Sequence, residues 1–254
     1  MHKSQVIQWY QSILKAIITM DTFSHFCPEH IGMLIAIATM ITAGLLIFRR
    51  SSDKKAVIAV RILSIIVLLG ETFQDILLVI EGGDIISFLP LHLCNLGIFV
   101  NLAASFSRGK VQAFFAEISL ILIMPGSVGA LLFPDWTYRP FWSVISMLCF
   151  LTHSLTAFIP LVFLIKQKAH VKFRHLWYSY LFLLVAVPPI YLLDRYAGQN
   201  YMFLMYPTQD SPLSLIFGLT GEKFYLAGLA SLLTVILVIE YAIYEAAAAC
   251  LRKH

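Results

Sequence analysis

Phe88-Leu89-Pro90-Leu91-His92-Leu93-Cys94-Asn95-Leu96, continuing as Gly97-Ile98-Phe99-Val100-Asn101, places a histidine, a thiol and two amides inside a long apolar run. Hydrocarbon excludes such groups unless something holds them, so polar residues in that setting are costly and usually functional. Pro90 has no N–H and crowds the preceding turn, so the spacing predicts a helix beginning near Pro90 rather than near Ile85. Cys94 then falls about one turn inside a helix N-terminus, where unpaired N–H groups and the positive end of the helix dipole favour a thiolate. The plainer reading of the same residues is a small buried thiol with His92 and Asn95 as hydrogen bonders between helices.

Working outward, the flanking sequence sets this stretch in a membrane. Of 254 residues, 59% are hydrophobic and only 13% charged, with a mean hydropathy of +0.83. A soluble chain of this length needs far more polar surface. The expected fold is all-α, a polytopic membrane bundle forming one domain over 1–254, with no internal repeat of the kind that marks many transporters. Four scattered cysteines, Cys27, Cys94, Cys149 and Cys250, form no CxxC pair and argue against a disulfide or zinc framework. The net charge of +4 reflects basic loops and gives no reason to expect a nucleic acid partner.

Residues 1–30 form an N-terminal segment in which Val6, Ile7, Tyr10, Ile13, Leu14, Ile17 and Ile18 recur at helical spacing. Ser4 to Met20 therefore reads as an amphipathic helix lying at the interface, and no cleavable signal pattern precedes the first long apolar run. Seven spans are expected within 31–245: Ile31 to Phe48, Ala56 to Ile80, Ile85 or Pro90 to Phe106, Val111 to Phe133, Phe141 to Ile165, Leu176 to Leu193 and Lys223 to Tyr244. Each is near the roughly 20 residues that cross a hydrocarbon core. Arg49, Arg50, Lys54, Lys55, Arg108, Lys110, Lys166, Lys168, Lys172, Arg174, Arg252 and Lys253 all fall on one side of such a bundle. That predicts an N-terminus outside and a C-terminus in the cytoplasm.

In that orientation the ionisable residues gather toward the outer half. Glu71 and Asp75 are four apart and share a helix face, so they require partners or protonation. His153, in Leu151-Thr152-His153-Ser154, lies about 18 Å from the outer end of its span at 1.5 Å per residue. A lone histidine on an apolar face is commonly a packing residue. Its proximity to a deep thiol on an adjacent segment gives it weight, because a thiol with an imidazole in reach is the minimum apparatus of a cysteine nucleophile and its base. His92 is two residues from Cys94 and points away from it on a regular helix, which turns it toward Glu71 or Asp75. The loop from Asp194 to Gly221 is long, apolar and aromatic and reads as a lid. Asn200 and Tyr201 are then site-facing donors, or else part of an ordinary aromatic belt.

Leu-Pro-Leu-His-Leu-Cys at 89–94, Thr-His-Ser at 152–154 and Gln-Asn-Tyr-Met at 199–202 resemble the YwaF-type integral membrane proteins, the family that includes the mammalian transmembrane protein 164. The likeness runs from about the second span to the seventh. It implies a multi-pass acyltransferase that moves a fatty acyl chain between phospholipid and lysophospholipid, with Cys94 as nucleophile and His153 as its partner. A bacterial plasma membrane is the expected location. From the residues themselves, Asn95 or backbone N–H groups would stabilise the oxyanion. Arg139, Arg195 or Lys223 would hold the lipid phosphate at the rim. Two other classes fit parts of the pattern. A transporter or receptor would use Glu71, Asp75, His92 and His153 as a proton or solute path, and a lipid hydrolase would share the acyl-enzyme step. A metal site has acceptable ligand types but no HxxxH or HxxE spacing, so neither a metal nor a cofactor is expected.

Overall fold

The computed structural model describes residues 22–208 and 211–251. The amphipathic helix expected at Ser4 to Met20 lies outside the described residues. The described chain is all-helical, with no strand among its residues and a single isolated bridge between Thr22 and Pro140. The helices are α1 (Pro28–Arg50), α2 (Asp53–Ile80), α3 (Leu93–Phe106), α4 (Gly109–Leu132), α5 (Val144–Ile165), α6 (Leu176–Ala197) and α7 (Leu213–Leu251). Six are long and apolar enough to cross a membrane. The exception is α3, whose 14 residues rise only about 21 Å at 1.5 Å each.

Helix starts follow local chemistry. Pro28 opens α1, where a missing N–H costs nothing; Ser52 caps α2 by accepting from the Lys55 N–H; Ser143 caps α5 by accepting from the Ser146 N–H. Gly198, at φ 67°, ends α6 in the left-handed conformation. Gly221, at φ 67° and ψ 171°, breaks α7, so its helix resumes beside Lys223, where the sequence places the start of the last span. Within α4 the segment Ser119–Ile123 widens into a π turn. Pro125 follows it and cannot donate to the carbonyl four residues back, so the ladder is already interrupted there.

The expected start of the third span is corrected. Pro90 is not in a helix: Ile85–Phe88 is a 3-10 turn, Leu89 is extended (ψ 137°), and α3 begins only at Leu93 after His92 (ψ 152°). A residue before proline is pushed out of the helical region, and that restriction ends the turn at Phe88 instead of starting a helix at Pro90.

Helices α4 and α5 form the middle of the bundle, more than half of each apolar stretch being buried, whereas α1, α6 and α7 are mostly exposed. Helix α5 touches α1, α2, α3 and α4. Its C-terminal half packs Phe158, Ile159, Val162 and Phe163 against Ala56, Val60 and Ala104. Gly97 on α3 permits the closest approach, since a Cβ there would collide with Ile123 and press on Thr156. The outward faces of the outer helices, such as Ile35, Met40 and Ile47 on α1 and Leu184 and Val185 on α6, are exposed apolar residues suited to lipid. The molecule is an integral multi-pass membrane protein by length, composition and surface.

A candidate active site at the start of helix α3

Because α3 begins at Leu93, Cys94 is its second residue and lies closer to the helix N-terminus than the position of the proline implies. The first-turn N–H groups around it have no partner within the helix. Cys94 and His153 line one narrow cavity, together with Glu71, Asn95, Thr152 and Thr156 from helices α2, α3 and α5. Its volume is about 10 Å³, the room of a single water. Both residues are half-buried.

The hydrogen bonds give each side chain a direction. The Cys94 thiol donates to Asn95 Oδ1 at 3.1 Å, and Asn95 Nδ2 donates to Glu71 Oε1 at 2.5 Å. One amide therefore bridges the thiol to a buried carboxylate. Asn95 spends one amide N–H on Glu71, and its second N–H and the first-turn backbone N–H groups of α3 are the donors nearest the thiol for an oxyanion. His153 Nδ1 is 2.8 Å from the Cys149 carbonyl, which can only accept, so Nδ1 carries the proton and Nε2 is left as a base. The Trp136 indole covers the imidazole at 5.2 Å between ring centroids.

Among the described residues, His92 does not take a carboxylate as its hydrogen-bond partner. Its Nδ1 accepts from the Met202 backbone N–H at 3.2 Å, and its ring meets Tyr201 and Phe203 at 5.5 and 5.3 Å. The reason is that the segment before α3 is extended, so His92 sits outside the helix and faces the loop instead of α2. Asp75 is half-buried one turn from Glu71, and no hydrogen bond to it occurs among the described residues.

The loop after α6 does fold back, and two of its residues have structural work there. The Asn200 side chain closes its own turn, accepting from the Met205 and Tyr206 N–H groups and donating to the Tyr206 carbonyl. Tyr201 is buried, its N–H donates to Asp194 and its hydroxyl to the Ile86 carbonyl, which ties the loop to the 3-10 turn before α3. Burial holds the Tyr201 phenol above its ordinary range, keeping it a donor. Neither side chain reaches the cavity. Met202 and Phe203 have φ of 53° and 57°, a left-handed conformation that costs energy in residues bearing a Cβ. The Met202 N–H bond to His92 is part of what holds it.

Of the three cations expected at the rim, Arg139 is taken: it pairs with Glu81 at 2.9 Å and lies over the Tyr138 ring. Arg195 and Lys223 are exposed.

Several residues at the site carry no separable signal in the sequence. Trp136 is a typical membrane residue; Cys149, whose thiol donates to Gln74 Oε1 at 3.2 Å, reads as a small apolar residue. His30 gives no signal either: it is fully buried, accepting from the Phe26 N–H and donating to the Leu131 carbonyl, and is thereby a packing residue with both nitrogens satisfied. Among the described residues, no three His, Cys, Asp or Glu side chains stand close enough to share a metal ion.

A model of the TMEM164 family matches residues 25–241. The chain belongs to the TMEM164 family. The match covers all of α1 to α6 and α7 as far as Tyr241, and includes Cys94, His153 and the Glu71–Asn95 pair. No curated protein and no solved structure matches this TMEM164-family chain.

Proposed function

We propose that the protein is a membrane lipid acyltransferase that carries an acyl chain from a phospholipid to a lysophospholipid through a thioester on Cys94. The observation that supports this most is the shared cavity of Cys94 and His153 at an uncapped helix start. His153 Nε2 takes the Cys94 proton and the thiolate attacks the ester carbonyl of the donor. The tetrahedral oxyanion meets the first-turn N–H groups of α3. When the C–O bond breaks, the lysolipid alkoxide takes the proton from His153. The acceptor hydroxyl then gives its proton to His153 and attacks the thioester, restoring the thiol.

Glu71 and Asn95 act as positioning residues, fixing the rotamer of Cys94 through the amide. A cavity the size of one water cannot hold an acyl chain, so the donor must part the wall between helices as it enters. Entry from the outer leaflet brings the ester to this depth without burying a soluble headgroup, and the exposed Arg195 and Lys223 suit the phosphate at the rim. The proposed orientation keeps the basic ends of the helices in the cytoplasm.

The test supplies purified protein with labelled phosphatidylcholine plus lysolipid, and separately with labelled acyl-CoA plus lysolipid. The expected result is label in the acceptor from the phospholipid donor. Transfer from acyl-CoA alone overturns the donor, and release only as free fatty acid converts the activity to hydrolysis.

A further inference from the structure

At the end of α3 opposite Cys94, about 20 Å away along its 14 residues, lies a second and larger cavity of about 440 Å³ between the starts of α2 and α4. Lys54, Arg61, Arg108 and Lys168 line it, against one carboxylate, Asp53. Asp53 is itself engaged by Lys168 at 3.2 Å and by Lys166 at 3.9 Å. Arg61 donates through Nε to the Ser105 carbonyl and lies over the Phe106 ring at 5.2 Å, so its guanidinium is fixed at the cavity wall.

Two observations besides the charge point to a ligand. Ser107 Oγ lines the cavity, is shielded from solvent, and has no hydrogen-bond partner among the described residues. A buried hydroxyl left unpaired costs free energy that a phosphate oxygen would recover. The N-terminus of α4 opens here with Arg108 as its first flanking residue and no side-chain cap, leaving its N–H groups free for an anion. The outer rim is apolar: Ile58 lines the cavity and is 48% exposed, and Phe106 and Val111 beside it are 52% and 55% exposed on the lipid-facing surface.

We propose that this cavity binds the phosphate headgroup of an anionic phospholipid, with its acyl chains lying against Ile58, Phe106 and Val111. A free phosphate would use the cations and the hydroxyl but would gain nothing from the rim, which is why the lipid is the better occupant. The site takes a lipid of the basic-side leaflet and is separate from the cavity at Cys94.

The full chain in neutral detergent, titrated with phosphatidylglycerol, phosphatidylcholine or inorganic phosphate, tests this by lipid-adduct mass and by Tm. Phosphatidylglycerol is expected to bind and raise Tm where phosphatidylcholine and phosphate do not. Arg108→Gln with Lys54→Gln, both exposed positions, should weaken that binding by roughly tenfold or more, at about fivefold per cation removed near a membrane surface. The matched change Arg49→Gln with Arg50→Gln, at the same end but outside the cavity, should leave it within about twofold, since only diffuse attraction is lost. Equal loss in both pairs, or undiminished binding in the first, overturns the site. An equal Tm rise with inorganic phosphate overturns the lipid. The readout is binding alone, so it stands or falls separately from any reaction at Cys94.

Discussion

The side chain that defines the candidate active site is Asn95, because its amide alone touches both the Cys94 thiol and the Glu71 carboxylate. The sequence marks the two charged or reactive partners but gives no reason to place an amide between them. Helical spacing says which residues of one helix share a face, and the Glu71 contact depends on how two helices meet. Asn95→Asp would set a second carboxylate against Glu71. We expect a drop in Tm relative to Asn95→Ala, with the gap closed by adding Glu71→Gln; identical Tm values for Asn95→Asp and Asn95→Ala would contradict the contact. Glu71→Ala leaves the amide half-buried without its acceptor, a cost of about 1–3 kcal/mol in thermal or chemical unfolding. Cys94→Ala removes little packing volume, so its Tm should stay close to the parent while turnover falls to background.

At the scale of elements, the deciding feature is the non-helical stretch before α3. Its apolar content is legible as membrane sequence, while its proline reads as a helix start and is not one. The sequence does not show that the Tyr201–Phe203 turn supplies the partners this stretch lacks, through Tyr201 to Ile86 and Met202 to His92. His92→Ala should therefore loosen the loop: limited proteolysis within 199–206 is expected to quicken several-fold, and an unchanged rate would mean that the loop is held by other contacts. The crossing of α3 and α4 is set by Gly97, where Ala must displace Ile123. A loss of about 1–3 kcal/mol is expected from that overpacking. Ser64, Asn101, Ser105 and Ser119 hydrogen-bond to one another below the site and are almost wholly buried. With the Asn101 amide also donating to the Thr156 carbonyl, they lock α2, α3, α4 and α5 together.

For the molecule as a whole, hydropathy and charge make the bundle legible: every expected span from the first to the seventh overlaps a helix, with α3 shorter than a full crossing. The central position of α4 and α5 is not legible, since all spans have similar composition and burial against protein or lipid looks alike in an apolar sequence. The proposed orientation is testable by single-cysteine labelling in intact cells. A membrane-impermeant reagent should reach a cysteine at Tyr196, which is exposed beyond the site, and not one at His170; the reverse pattern would invert the protein. The central claim is that Cys94 carries the acyl chain. Intact mass of protein incubated with phosphatidylcholine and no acceptor should show an adduct of one fatty acyl group less a proton, mapped to Cys94, released by lysolipid and absent in Cys94→Ala. Unmodified Cys94 in a preparation that turns over phospholipid would contradict the account.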